Sequence, residues 1–66
     1  MKLKKIIEYM EGLSKKDRFF RYTYTNDSED CLFTITRGGY NESKTFHAKD
    51  IKRTSDLKNI VLYFYL

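Results

Sequence analysis

The chain predicts an α+β domain in which one N-terminal amphipathic helix packs on a small, mainly antiparallel four-stranded sheet, in the order α-β-β-β-β. Three observations carry this reading. Leu3, Ile6, Ile7, Met10 and Leu13 recur at i, i+3, i+4, i+7 and i+10, the spacing of one apolar stripe on a helix. Two later stretches, Arg18-Phe19-Phe20-Arg21-Tyr22-Thr23-Tyr24-Thr25 and Cys31-Leu32-Phe33-Thr34-Ile35-Thr36-Arg37, are dense in aromatic and β-branched residues, which favour strands. The final seven residues, Ile60-Val61-Leu62-Tyr63-Phe64-Tyr65-Leu66, are apolar or aromatic without a break and read as a fourth buried strand.

Taken in order, the helix carries Lys2, Lys4, Lys5, Glu8 and Glu11 off its stripe, and Gly12 marks its expected end. The three lysines oppose the helix dipole, so this helix depends on packing against an apolar surface. Ser14-Lys15-Lys16-Asp17 has the S-x-x-D form of a helix start, which would place a short second helix over residues 15–20. The Tyr-Thr-Tyr-Thr alternation that follows favours a strand instead. Alternation puts Phe20, Tyr22 and Tyr24 on one face of that strand and Phe19, Arg21, Thr23 and Thr25 on the other. Asn26-Asp27-Ser28-Glu29-Asp30 is turn chemistry. The second strand sends Cys31, Phe33 and Ile35 inward, and Gly38-Gly39 closes it with a turn. Lys44-Thr45-Phe46-His47-Ala48 is a weaker strand, and residues 49–57 are polar apart from Ile51 and Leu57, with room for a turn of helix. In the C-terminal strand Ile60, Leu62, Phe64 and Leu66 would share one face, and Val61, Tyr63 and Tyr65 the other.

The expected core is Leu3, Ile6, Ile7, Met10, Leu13, Phe20, Tyr22, Phe33, Ile35, Leu62 and Phe64. The opposite sheet face would show Arg21, Thr23, Leu32, Thr34, Val61, Tyr63 and Tyr65, a mixture of aromatic anchors, hydroxyls and a guanidinium of the kind enriched at binding surfaces.

Sixty-six residues make a single domain, 1–66. A chain near this size buries only about 60% of its unfolded surface and draws ~3–5 kcal/mol from one core. Cys31 is the sole cysteine, so no internal disulfide can help, and Cys31 with His47 are too few soft ligands for a zinc staple. Tight packing among six Tyr and five Phe, or oligomerisation, must supply the remainder. The lone cysteine points to a reducing compartment. Residues 1–13 have no continuous apolar h-region and no small-residue cleavage site, and no apolar run approaches the ~20 residues of a membrane span. Asn26-Asp27-Ser28 and Asn41-Glu42-Ser43 fit the glycosylation sequon but, with no secretory route expected, read as chance matches in polar turns. A cytoplasmic location is expected.

The formal charge is +4 and the isoelectric point about 9.3. The excess lies in the first third, where Lys2, Lys4, Lys5, Lys15, Lys16, Arg18 and Arg21 face Glu8, Glu11 and Asp17. This sign argues against an acidic mimic of DNA and leaves two readings, a solvated surface of modest positive bias or a footprint for phosphate.

Catalytic candidates are scarce. Cys31 with His47 is the one possible thiol–imidazole pair, and Cys31 lies in an alternating apolar strand where a small buried hydrophobe is its ordinary role. Glu29 and Asp30 share a polar turn that cannot hold carboxylates at a fixed separation. Arg37-Gly38-Gly39 lacks the following helix of a phosphate-binding glycine loop. The expectation is a non-enzyme with no cofactor and no metal.

Two binding functions follow. The first is a protein-interaction module, an inhibitor, adaptor or accessory factor of the kind phage and mobile elements carry. It would dock on another protein, or on a second copy of itself as a homodimer, through Arg21, Val61, Tyr63 and Tyr65. A competing arrangement has the residues after Thr45 wrap back over that face and leave a monomer. The second function is nucleic-acid binding through Lys15, Lys16, Arg18 and Arg21, interleaved with Phe19, Phe20 and Tyr22 as stacking surfaces.

Overall fold

A computed structural model describes residues 1–25 and 31–66. The expected turn at 26–30, with its acid pair and its sequon, lies outside the described residues.

Helix α1 runs from Leu3–Lys16 and buries Ile6 and Met10, with Ile7, Tyr9 and Leu13 partly buried beside them. Leu3, expected in the core, stays 38% exposed in the first turn. The helix passes through Gly12, contrary to the expected stop there. Leu13 prolongs the apolar stripe by another turn, and Lys15 and Lys16 sit in the last turn, where cations favour the dipole. The chain leaves the helix at Asp17, whose N–H still donates to the Leu13 carbonyl at 2.9 Å.

Strands β1 (Phe20–Tyr24), β2 (Leu32–Arg37) and β3 (Lys44–His47) form an antiparallel sheet in the order β1-β2-β3. The register pairs Tyr24 with Phe33 and Phe33 with Phe46, so three rings stack across the sheet at centroid distances of 5.2 and 5.0 Å. Phe20, Phe33, Ile35 and Phe46 are buried under the helices, as period-two alternation requires. The intervening residues put Thr23, Thr34 and Thr45 in a row across the other face, with Arg21 beside Thr36 and Leu32 beside His47. At the β2–β3 turn Gly39 adopts φ +95°, a conformation that favours glycine.

Among the described residues the expected fourth strand, over 60–66, is absent. A short 3-10 helix, Ala48–Asp50, leads to helix α2, Thr54–Val61, and a second 3-10 helix, Leu62–Tyr65, carries the chain on. The Asp56 carboxylate caps α2 by accepting the backbone N–H groups of Lys52 and Arg53 at 2.8 and 3.1 Å. The buried residues are Leu57, Val61 and Phe64, spaced i, i+4 and i+7. That spacing belongs to a helix face, and it reverses the expected pairing: Val61 is 6% exposed inside the core, whereas Leu62, assigned there, is 48% exposed. Phe46, Ile51 and Leu57 complete the core. Among the described residues no helix is long and apolar enough to cross a membrane.

Candidate functional site

The residues that end α1 and begin β1 make the most elaborate polar cluster in the described structure. Asp17 is its centre. One carboxylate oxygen accepts the Phe19 N–H at 2.9 Å, which folds the chain into the tight turn between helix and strand. The other oxygen accepts Arg37 Nε at 2.6 Å and the Tyr65 hydroxyl at 2.8 Å. A single side chain thereby joins the end of α1, the end of β2 and the C-terminal 3-10 helix. The Arg37 guanidinium also lies 4.9 Å from the centre of the Tyr65 ring.

The electrostatics follow from these contacts. The bond from Arg37, with help from the Phe19 N–H and Tyr65, holds the Asp17 carboxyl down at about 2. The same pair holds the Arg37 guanidinium above its ordinary value, and burial followed by the bond to Asp17 raises the Tyr65 phenol. Asp17 is therefore ionised and fully engaged at neutral pH.

Around this pair opens a cleft of about 640 Å³ lined by Leu13, Lys16, Asp17, Arg18, Phe19, Arg37 and Tyr65. Phe19 stands 52% exposed on one side, with the Arg18 guanidinium 5.1 Å from its ring centre, and Tyr65 is 42% exposed on the other. Gly38 makes room for Phe19: a methyl carbon there would lie 3.1 Å from Phe19 Cδ1. A smaller depression of about 270 Å³, lined by Glu8, Tyr9, Gly12, Leu13 and Lys16, shares two of its walls with the cleft and extends along α1. Among the described residues Lys16 and Arg18 form no ion pair.

Lys16, Arg18 and Tyr65 come from two different expected sets, and the fold brings them to one cleft. Lys15 is exposed beside Lys16 on the last turn of α1. Arg21 lies just outside the cleft, its guanidinium donating to the carbonyls of Arg18 and Phe20. Tyr63 belongs to a separate aromatic group with Tyr40 and Phe64, under the Lys44 ammonium at 4.2 Å from its ring centre. Val61 lies in the core, away from all of these. Leu13, Asp17 and Arg37 belong to neither expected set, and Phe19 enters only as one of the rings interleaved with the basic residues. The S-x-x-D pattern drew attention to Asp17 as a helix signal, while its link to Tyr65, 48 residues away, has no local signature.

The Cys31 side chain lies on the covered side of the sheet, its thiol 2.8 Å from the Thr25 carbonyl, and alternation places His47 on the other side. Among the described residues no group of three or more His, Cys, Asp or Glu side chains stands together as a metal site. Set against known proteins, the chain matches no family model, no curated protein and no solved structure.

Proposed function

We propose that this α+β domain is a non-enzymatic interaction module, an inhibitor, adaptor or accessory factor of the cytoplasm, that docks on another protein through the end of the fold where α1, the Arg18-Phe19 turn and Tyr65 meet. The observation that carries this reading is the cleft, in which two exposed aromatic rings stand beside the cations Lys16 and Arg18. Aromatic and arginine side chains are the groups that dominate protein interfaces. What favours a protein over a nucleic acid is the placement of the strand aromatics. Phe20, Tyr22, Tyr24, Phe33 and Phe46 all belong to the helix-covered face, and the other carries a threonine row with Arg21, Leu32 and His47, so among the described residues the open face of the three strands has no Phe or Tyr on which bases could stack.

The test is affinity capture from nuclease-treated lysate of the native host with wild-type protein and with Phe19→Ser. One protein held by wild type and released by Phe19→Ser is the expected result. Capture that depends on intact nucleic acid, or that is indifferent to Phe19, overturns the proposal. Sedimentation of the wild type at high micromolar concentration reveals whether a second copy of the chain is the partner instead.

A further inference from the structure

We infer that the cleft takes an acidic, extended segment of the partner protein, with a carboxylate held between Lys16 and Arg18 and an apolar side chain seated against Phe19 and Leu13. This rests on the interaction reading above and specifies its ligand chemistry.

The inference comes from charge balance and shape. Three cations, Lys16, Arg18 and Arg37, line the cleft against a single carboxylate, Asp17. Asp17 is spent on Arg37, which leaves the charges of Lys16 and Arg18 uncompensated among the described residues. Both are exposed, one on the last turn of α1 and the other on the turn that follows, so their side chains can converge on a group entering between them. Arg37 is already fixed by Asp17 and by the Tyr65 ring, so it contributes field and a rigid wall rather than a mobile contact. An anion is the matching ligand for this balance.

Shape selects a peptide among anions. The cleft and the depression beside it share Leu13 and Lys16, so the concave surface runs from Tyr65 past Leu13 to Tyr9 and Gly12. Gly12 leaves its stretch of α1 without a side chain, and a methyl built there would touch nothing within 4 Å. The lane carries Lys16 and Arg18 at the cleft and Glu8, 3.9 Å from the Lys5 ammonium, in the depression, so it suits an extended chain whose acidic side chains lie at the cleft and whose apolar ones lie along Leu13 and Tyr9. A small free anion would engage Lys16 and Arg18 alone and leave the apolar walls at Leu13, Phe19 and Tyr9 without a partner.

A library of displayed random peptides, selected on the wild-type protein, supplies the test, with binding of the enriched peptides then measured by fluorescence anisotropy. The expected winners carry two or more Asp or Glu around an apolar residue, and they shift amide resonances at Lys16, Arg18 and Phe19. The double variant Lys16→Glu/Arg18→Glu should weaken them at least about tenfold, and raised salt should weaken them further. All three side chains are exposed, so unchanged thermal unfolding of these variants and of Phe19→Ser shows that the fold is retained. Peptides with no acidic bias that depend on Phe19 but tolerate the charge reversal overturn the acidic ligand while leaving the interaction reading standing. Failure to enrich any peptide, or displacement of the peptides by oligothymidylate, overturns the inference outright.

Discussion

The two faces of the sheet use the same strands and the same backbone, and they differ in almost everything else. On the covered face Phe20, Phe33, Ile35 and Phe46 are buried, and rings stack from strand to strand. On the open face Thr23, Thr34 and Thr45 stand in register, with Arg21 and Thr36 beside them. Threonine is β-branched and stiff at χ1, so it favours the strand as valine would, yet its hydroxyl keeps the face wet. One face therefore holds the fold together, while the other supports strand geometry with little apolar surface beyond Leu32. The groups proposed above for recognition sit at neither, but at the end of the sheet where α1 stops and Asp17 gathers Arg37 and Tyr65.

This contrast can be broken most severely from the covered side. Leu57→Asp places an unpaired carboxylate at a fully buried position in a domain whose core supplies only ~3–5 kcal/mol, and the protein should unfold. Leu62→Asp, at an exposed position, should leave circular dichroism and the thermal midpoint nearly unchanged. The opposite ranking of Leu57 and Leu62 would return the C-terminal segment to a strand. Phe33→Ala removes the central ring of the stack, a loss of about 3–5 kcal/mol that matches what the core supplies, so this variant should also be largely unfolded by circular dichroism.

The Asp17 cluster is intermediate, and pH sharpens it. The Asp17 carboxyl titrates at about 2 in the folded protein against an ordinary value of 3.8. A lowered folded value means that its contribution is complete above 3.8 and is lost as pH falls through about 2. Asp17→Asn should therefore be less stable than wild type at neutral pH, and the difference should close between those two pH values in parallel urea titrations. The smallest effect belongs to the open face. Thr34→Ala, next in sequence to Phe33, should change stability by no more than about 0.5 kcal/mol. A large loss there would mean that the threonine row is structural.

Much of this architecture is legible residue by residue. Two-residue alternation fixed Phe20, Cys31, Phe33 and Ile35 on the covered side, and the stripe of α1 is visible in Ile6 and Met10. The C-terminal segment misleads because an unbroken run such as 60–66 fits a buried strand and the end of a buried helix equally well. The deciding signals lay upstream: Leu57, Val61 and Phe64 share helical spacing, and Asp56 stands where it can cap. Tyr63 and Tyr65 read as apolar in such a run, although each keeps its hydroxyl on a carboxylate, Glu42 for Tyr63 and Asp17 for Tyr65. The cleft is the least legible part, since it depends on a helix end, a strand end and a C-terminal turn that meet only in three dimensions.

Arg21 has a bearing on solubility. The Gly38 N–H donates to the Phe19 carbonyl and the Thr25 N–H to the Leu32 carbonyl, so by alternation the backbone groups of Phe20, Tyr22 and Tyr24 point away from the sheet along its outer edge. The Phe20 N–H is taken by the Asp17 carbonyl, and the Arg21 guanidinium lies across the carbonyls of Arg18 and Phe20. A foreign strand aligning there would meet a positive charge where it needs a bare acceptor. The entrance to the β1 edge is thus corked at Phe20, which opposes the docking of a further strand from that end.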